Sequence, residues 1–140
     1  MPEPGESRFR YPVAVRFRDL DPMGHVHHTV ALVYFEEARA AYWRDVVGQS
    51  NVADVGYVVA RFAIDYHARV HFPQTVYVRA RVPRLGGKSW DMEYELRSAT
   101  GELFASATSV QVMYDYEAGA SIAIPDDVRR RIAAYEGLEG

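Results

Sequence analysis

The chain has 140 residues, 49% of them hydrophobic, and a net charge of −3, which suits one domain with one sizeable core. It has no cysteine, which excludes disulfides, thiolate catalysis and cysteine-based zinc sites together. The balance of 16 Lys and Arg against 19 Asp and Glu leaves no basic footprint for nucleic acid, and the longest apolar segment, Val30–Phe35, is far too short to span a bilayer.

Met1–Arg8 is polar, holds proline and glycine, and reads as a loose tail ahead of a single domain over residues 9–140. It lacks the apolar core of a signal peptide, so a cytoplasmic protein is expected. Tyr11, Val13, Val15 and Phe17 are apolar at every second position, which is the alternation of a strand with one buried face. Asp19 and Asp21 continue that parity until Pro22 and Gly24 end the run. Thr29 can cap a helix that runs from Val30 to Val47, about 27 Å at ~1.5 Å per residue, with Gly48 as its stop. Glu36, Glu37, Arg39, Arg44 and Asp45 cover only part of its circumference, so this helix should be surrounded by protein.

Beyond Gln49–Gly56 the period returns to two. Val58 to Tyr66, Val76 to Val82, Trp90 to Leu96 and Phe104 to Tyr114 each read as a strand. Phe72-Pro73-Gln74, Gly86-Gly87 and Thr100-Gly101 read as the turns between them. Pro125-Asp126-Asp127 opens a short last helix, with proline and acids in its first turn. Short turns between successive strands imply antiparallel pairing, and the long helix must bury itself on that sheet. The expected class is therefore α+β.

The residues that carry chemistry lie in Arg16–Arg39. Asp21 stands just before a Pro-Met-Gly turn and a histidine cluster, His25, His27 and His28, that leads into the helix. A carboxylate can act as base or nucleophile, and the free N–H groups of a helix start can hold an oxyanion. That pairing suits acyl transfer without serine, cysteine or metal. Asp19 reads as a turn-holding group that accepts backbone N–H bonds.

Asp21-Pro22-Met23-Gly24-His25-Val26-His27-His28, followed by Tyr34-Phe35-Glu36-Glu37-Ala38-Arg39, resembles the hotdog-fold thioesterases, in the branch of 4-hydroxybenzoyl-CoA thioesterase and long-chain acyl-CoA thioesterases. Weaker matches follow at Asp65-Tyr66, Gly86-Gly87-Lys88-Ser89 and Ile124-Pro125, so the likeness covers roughly Tyr11–Tyr135. The resemblance implies a five-stranded antiparallel sheet wrapped around one long helix, with a short C-terminal helix. It implies Asp21 as the catalytic carboxylate and the backbone N–H of His28 as the group that polarises the thioester carbonyl. Gly24, His25, His27 and Ser89 would border the substrate; by their charge alone, Arg84 and Lys88 beside the Gly86-Gly87 turn can meet the phosphates of coenzyme A. No cofactor is implied, because coenzyme A is part of the substrate. The resemblance also implies a homo-oligomer, with a dimer as the minimal unit and a tetramer built from it. Another subgroup carries a tyrosine four residues before the aspartate; Phe17 stands there in this chain.

The same residues admit other readings. A metal held by His25, His27 and His28 would need a further ligand, and no HExxH pattern supplies one. Another hotdog branch uses a helix glutamate, but Glu37 lies nine residues past His28, about 13 Å along the axis at ~1.5 Å each. Gly86-Gly87-Lys88-Ser89 looks like the tail of a phosphate loop, yet Val82 occupies the position that needs the first glycine. An enoyl-CoA hydratase of the same fold and a binding module that does not cleave its acyl thioester are the functional alternatives.

Overall fold

Hydrophobic alternation and turn chemistry build the sheet. The computed structural model describes residues 8–49 and 56–139. The tail expected over Met1–Arg8 lies outside the described residues except for Arg8, as does most of Gln49–Gly56. The strands are β1 (Phe9–Ala14), β2 (Tyr57–Tyr66), β3 (Thr75–Leu85), β4 (Ser89–Ser98), β5 (Leu103–Asp115) and the two-residue β6 (Ala120–Ser121). They pair antiparallel in the order β1-β3-β4-β5-β2, and β6 pairs with β5. Five long strands match the expectation in number, and β6 adds a short sixth, but successive pairing fails at one link: β2 pairs with β5 and β3 with β1, so Phe72-Pro73-Gln74 joins two strands that are not neighbours.

Val76, Val78, Ala80 and Val82 of β3 and Trp90, Met92, Tyr94 and Leu96 of β4 are buried, as their period of two required. On β2 the alternation breaks. A register shift between Val59 and Arg61 leaves Ala60 as an extra residue, so Tyr57 and Phe62 reach the same core although five positions separate them.

The long helix is α1 (His28–Tyr42), and it continues as one wider turn over Trp43–Val47. Gly48 ends it in a left-handed conformation, with φ 87°, that glycine adopts without strain. Its cap is His27 rather than the expected Thr29: the His27 ring accepts the Thr29 N–H. Tyr34, Phe35, Ala38, Ala41 and Tyr42 bury one face against the sheet, while Leu32 and Val33 stay exposed. So the helix is covered on one side only within this chain. Arg39, expected among the polar coverage, is buried, and its Nε donates to the Tyr57 hydroxyl at 3.3 Å. A second helix, α2 (Asp126–Glu136), opens after Pro125 with Asp126 and Asp127 in its first turn. Arg129 donates from it to the Gly86 carbonyl at 2.6 Å, tying the β3–β4 hairpin to α2.

The first strand ends earlier than its alternation suggested. Phe17 is not on the strand's inner face but in a tight helical turn, Phe17–Asp19, and is 77% exposed. The cause is Asp19. Its carboxylate accepts the Arg16 backbone N–H at 2.9 Å and the Tyr34 hydroxyl at 2.6 Å, and it sits 3% exposed. A short acidic side chain that captures its own backbone competes with the strand ladder. The structural role expected of Asp19 is therefore what the geometry shows.

Burial raises the Asp19 pKa, but the Tyr34 and Arg16 hydrogen bonds and the Arg16 charge outweigh it, leaving the group below its ordinary 3.8. A depressed carboxylate stabilises the fold above that value and loses its contribution as pH falls through its lower folded value. Tyr34→Phe should cost about 2 kcal/mol of unfolding free energy in urea titrations at pH 7, and less when the titration is repeated at a pH well below 3.8, where Asp19 takes up its proton. An equal loss at both pH values would refute this role.

Candidate active site

The segment between Asp19 and His27 is a narrow hairpin. His27 N–H donates to the Asp19 carbonyl at 2.9 Å, Leu20 bridges Val26, and Asp21 N–H donates to the His25 carbonyl at 2.8 Å. Gly24 turns the chain with φ 83°, a conformation that costs a residue with a Cβ about 1 kcal/mol or more. Val26 N–H then bonds to the Val70 carbonyl at 2.9 Å, which docks the hairpin on the segment after β2.

This hairpin delivers Asp21 to the start of α1. The Asp21 Oδ1 accepts the Met23 N–H at 2.9 Å and the His25 N–H at 3.3 Å. Its Oδ2 takes no hydrogen bond from the described residues, so one oxygen is held and the other is free. Desolvation pushes the Asp21 carboxyl up, but the His25 and Met23 amides and the His25 and His27 rings outweigh it and hold the group below 3.8.

The first amides of α1 are unequal. The His27 N–H is taken by Asp19, and the Thr29 N–H is capped by the His27 Nδ1 at 3.1 Å. Val30 N–H bonds back to the His27 carbonyl at 2.9 Å. The His28 N–H between them has no partner among the described residues. Asp21 and His28 both line a cavity of about 390 Å³. Val26, Ala31, Val70, Leu96, Phe104 and Ala105 form its apolar wall, and His25, Tyr66, His67 and Arg69 its polar rim. An ionised oxygen, a free amide and an apolar wall in one cavity can bind and attack an acyl carbonyl. A second hollow, of about 350 Å³, is bordered by Asp65, Ser106, Thr108 and the Arg81–Glu93 ion pair. Charged and hydroxyl side chains dominate its lining.

Three of the eight site residues read from the sequence, Asp21, His25 and His28, meet in this cavity. Gly24 shapes the turn, and the His27 ring is the helix cap, stacked on His28 with ring centroids 4.3 Å apart. Arg84, Lys88 and Ser89 lie elsewhere. The 11 residues of β3 separate their hairpin from the turn beside the site, about 33 Å at ~3.3 Å per residue. Arg84 also pairs with Asp91 at 3.0 Å across that hairpin. They therefore stand apart from Asp21 within one protomer. Glu36 and Glu37 are exposed, and Glu36 pairs with Arg39 at 3.8 Å. Sequence reasoning did not place Tyr66, His67 and Arg69 on the rim. Their signal was the polar and aromatic cluster that ends the β2 alternation.

Residues 15–132 match the family model of the thioesterase-like superfamily. The chain belongs to this superfamily. The acyl-CoA thioesterase YbgC of Haemophilus influenzae is 28% identical over 139 residues, covering 96% of this chain and 98% of its own length. A thioesterase of Thermus thermophilus, solved with coenzyme A and zinc, is 34% identical, with a TM-score of 0.87 over 97% of this chain and 99% of that one. SAV2348 of Staphylococcus aureus, solved with coenzyme A, shares the fold at a TM-score of 0.85 and 15% identity, over 96% and 87% of the two chains. The hotdog fold expected from the motif is thus the superfamily's fold, and thioester hydrolysis is its general chemistry.

The hydrogen bonds at Asp21 predict a carboxyl that stays ionised above its ordinary value and takes a proton only below it. A carbon-13 NMR titration of the side-chain carboxyl should give a midpoint below 3.8. A midpoint at about 5 or higher would show that burial, not hydrogen bonding, controls the group.

Proposed function

We propose that the protein hydrolyses an acyl-CoA thioester to a carboxylic acid and free coenzyme A, without a cofactor. The observation that carries this reading is the free Asp21 oxygen sharing a cavity with the unpartnered His28 N–H. The carbonyl oxygen takes the His28 N–H. Asp21 either removes a proton from water, whose oxygen adds to the carbonyl carbon, or adds to that carbon itself. The tetrahedral intermediate then collapses, the C–S bond breaks, and the thiolate leaves and takes up a proton. When Asp21 attacks directly, water afterwards hydrolyses the mixed anhydride. An oxyanion donor of this kind is worth about 10²–10³-fold in turnover. The acyl group lies between the start of α1 and the Leu96, Phe104 and Ala105 wall. No observation favours a hydratase: Asp21 and His25 stand on a hairpin rather than on one face of a helix.

The same reading includes a homodimer as the working unit. One edge of β2 has no strand beside it among the described residues, since only β5 pairs with this strand. Leu32 and Val33 of α1 and Val59 of β2 are exposed large apolar residues. An open edge beside apolar surface favours a second copy.

Two measurements test this reading. Asp21→Asn keeps the shape but cannot accept the proton; kcat on the best acyl-CoA of a length-graded panel should fall by about 10²-fold or more. A rate within about twofold of wild type would defeat the assignment and leave a non-cleaving acyl-thioester module as the better account. Light scattering on the eluting protein should give at least twice the 15.9 kDa chain mass. A species at the single-chain mass would remove the dimer from the proposal.

A further inference from the structure

We propose that Tyr66 is a positioning residue for the oxyanion-binding amide, holding the first residue of α1 through its carbonyl group. The Tyr66 hydroxyl donates to the His28 carbonyl at 2.6 Å, across 38 residues of chain. Tyr66 is the last residue of β2, so this bond fastens the end of the sheet to the start of the helix. A carbonyl oxygen has two lone pairs, so the phenol can bind His28 without displacing the helical partner.

The direction of an amide follows from the peptide planes on either side, because each plane is rigid. On the N-terminal side, His27 is bonded to the Asp19 carbonyl. On the C-terminal side, the plane that contains the His28 carbonyl and the Thr29 N–H is bonded twice, to Tyr66 and to the His27 ring. His28 is therefore held before and after, while its own N–H has no partner among the described residues and His28 lines the cavity. The Val30 N–H bond to the His27 carbonyl at 2.9 Å also holds this turn, but His28 and Thr29 are exposed, and the first turn contains no acidic residue. Helix ends without such restraint fray. Tyr66 itself is 51% exposed, so its ring is not a core group, and it meets the His28 imidazole edge-on at 6.4 Å.

The other end of β2 supplies a matched control. The Tyr116 hydroxyl donates to the Tyr57 carbonyl at 2.8 Å, again from an exposed tyrosine to a backbone oxygen, but away from the cavity. If both bonds are only structural, removing either hydroxyl has the same consequence. If Tyr66 aims the amide, only its removal slows the chemical step.

This inference rests on the thioesterase reading, and the experiment separates the two. Wild type, Asp21→Asn, Tyr66→Phe and Tyr116→Phe are assayed with the same acyl-CoA, with kcat and KM determined separately and Tm recorded for each. Tyr66→Phe should lower kcat about tenfold, with KM within about twofold of wild type. Tyr116→Phe should leave both unchanged, and the two phenylalanine variants should lose a similar few degrees of Tm. An unchanged kcat in Tyr66→Phe, a rise in KM alone, or a loss of activity that merely follows a much lower Tm each overturn the positioning role while hydrolysis stands. A wild type that hydrolyses no thioester, or an Asp21→Asn variant as active as wild type, overturns both.

Discussion

A carboxylate shut away from water must have its charge answered by hydrogen bonds, and Asp19 is that group here. The Tyr34 hydroxyl reaches it from the second turn of α1, and the Arg16 amide reaches it from the end of the first strand. One buried carboxylate therefore joins strand, turn and helix. The Asp19 carbonyl then receives the His27 amide, which closes the hairpin at the residue that caps α1. The aim of Asp21, the cap at His27 and the free His28 amide all follow from that closure.

Asp19 and Asp21 are the same residue type two positions apart, yet their surroundings give them different chemistry. Both oxygens of Asp19 are engaged, and it is shielded from solvent. Asp21 lines a cavity and has one oxygen held by two amides and the other without a hydrogen bond among the described residues. Hydrogen bonds to the charged form keep both ionised, but only Asp21 has an oxygen free to meet a ligand. The fold thus makes one carboxylate a fastener and leaves its neighbour available.

Where the alternating pattern and the structure part, a local competitor is visible. Phe17 leaves the strand because Asp19 captures the Arg16 amide. Ala60 is an extra residue in β2, so a parity read straight through it puts half the strand on the wrong face. His27 takes the cap expected of Thr29 because its ring nitrogen reaches the Thr29 amide. Arg39 is buried although charged, with the Tyr57 hydroxyl within reach of its guanidinium. Each is a contact that hydrophobic periodicity does not encode.

The amino-acid sequence by itself determined the class of fold, the five long strands, the hairpin turns at Gly86-Gly87 and Thr100-Gly101, the extent of the central helix and its glycine stop, and Asp21 as the candidate carboxylate ahead of that helix. Those features are local: period two, period 3.6, a proline-glycine turn and a motif of contiguous residues suffice to state them. Only the tertiary structure decided that the His28 amide stays free while its neighbours are bonded, and that Tyr66, His67 and Arg69 rim the cavity. It likewise placed Arg84, Lys88 and Ser89 at the other end of the sheet. These depend on pairing between residues tens of positions apart, which strand register and helix docking set and which no single stretch of the chain contains.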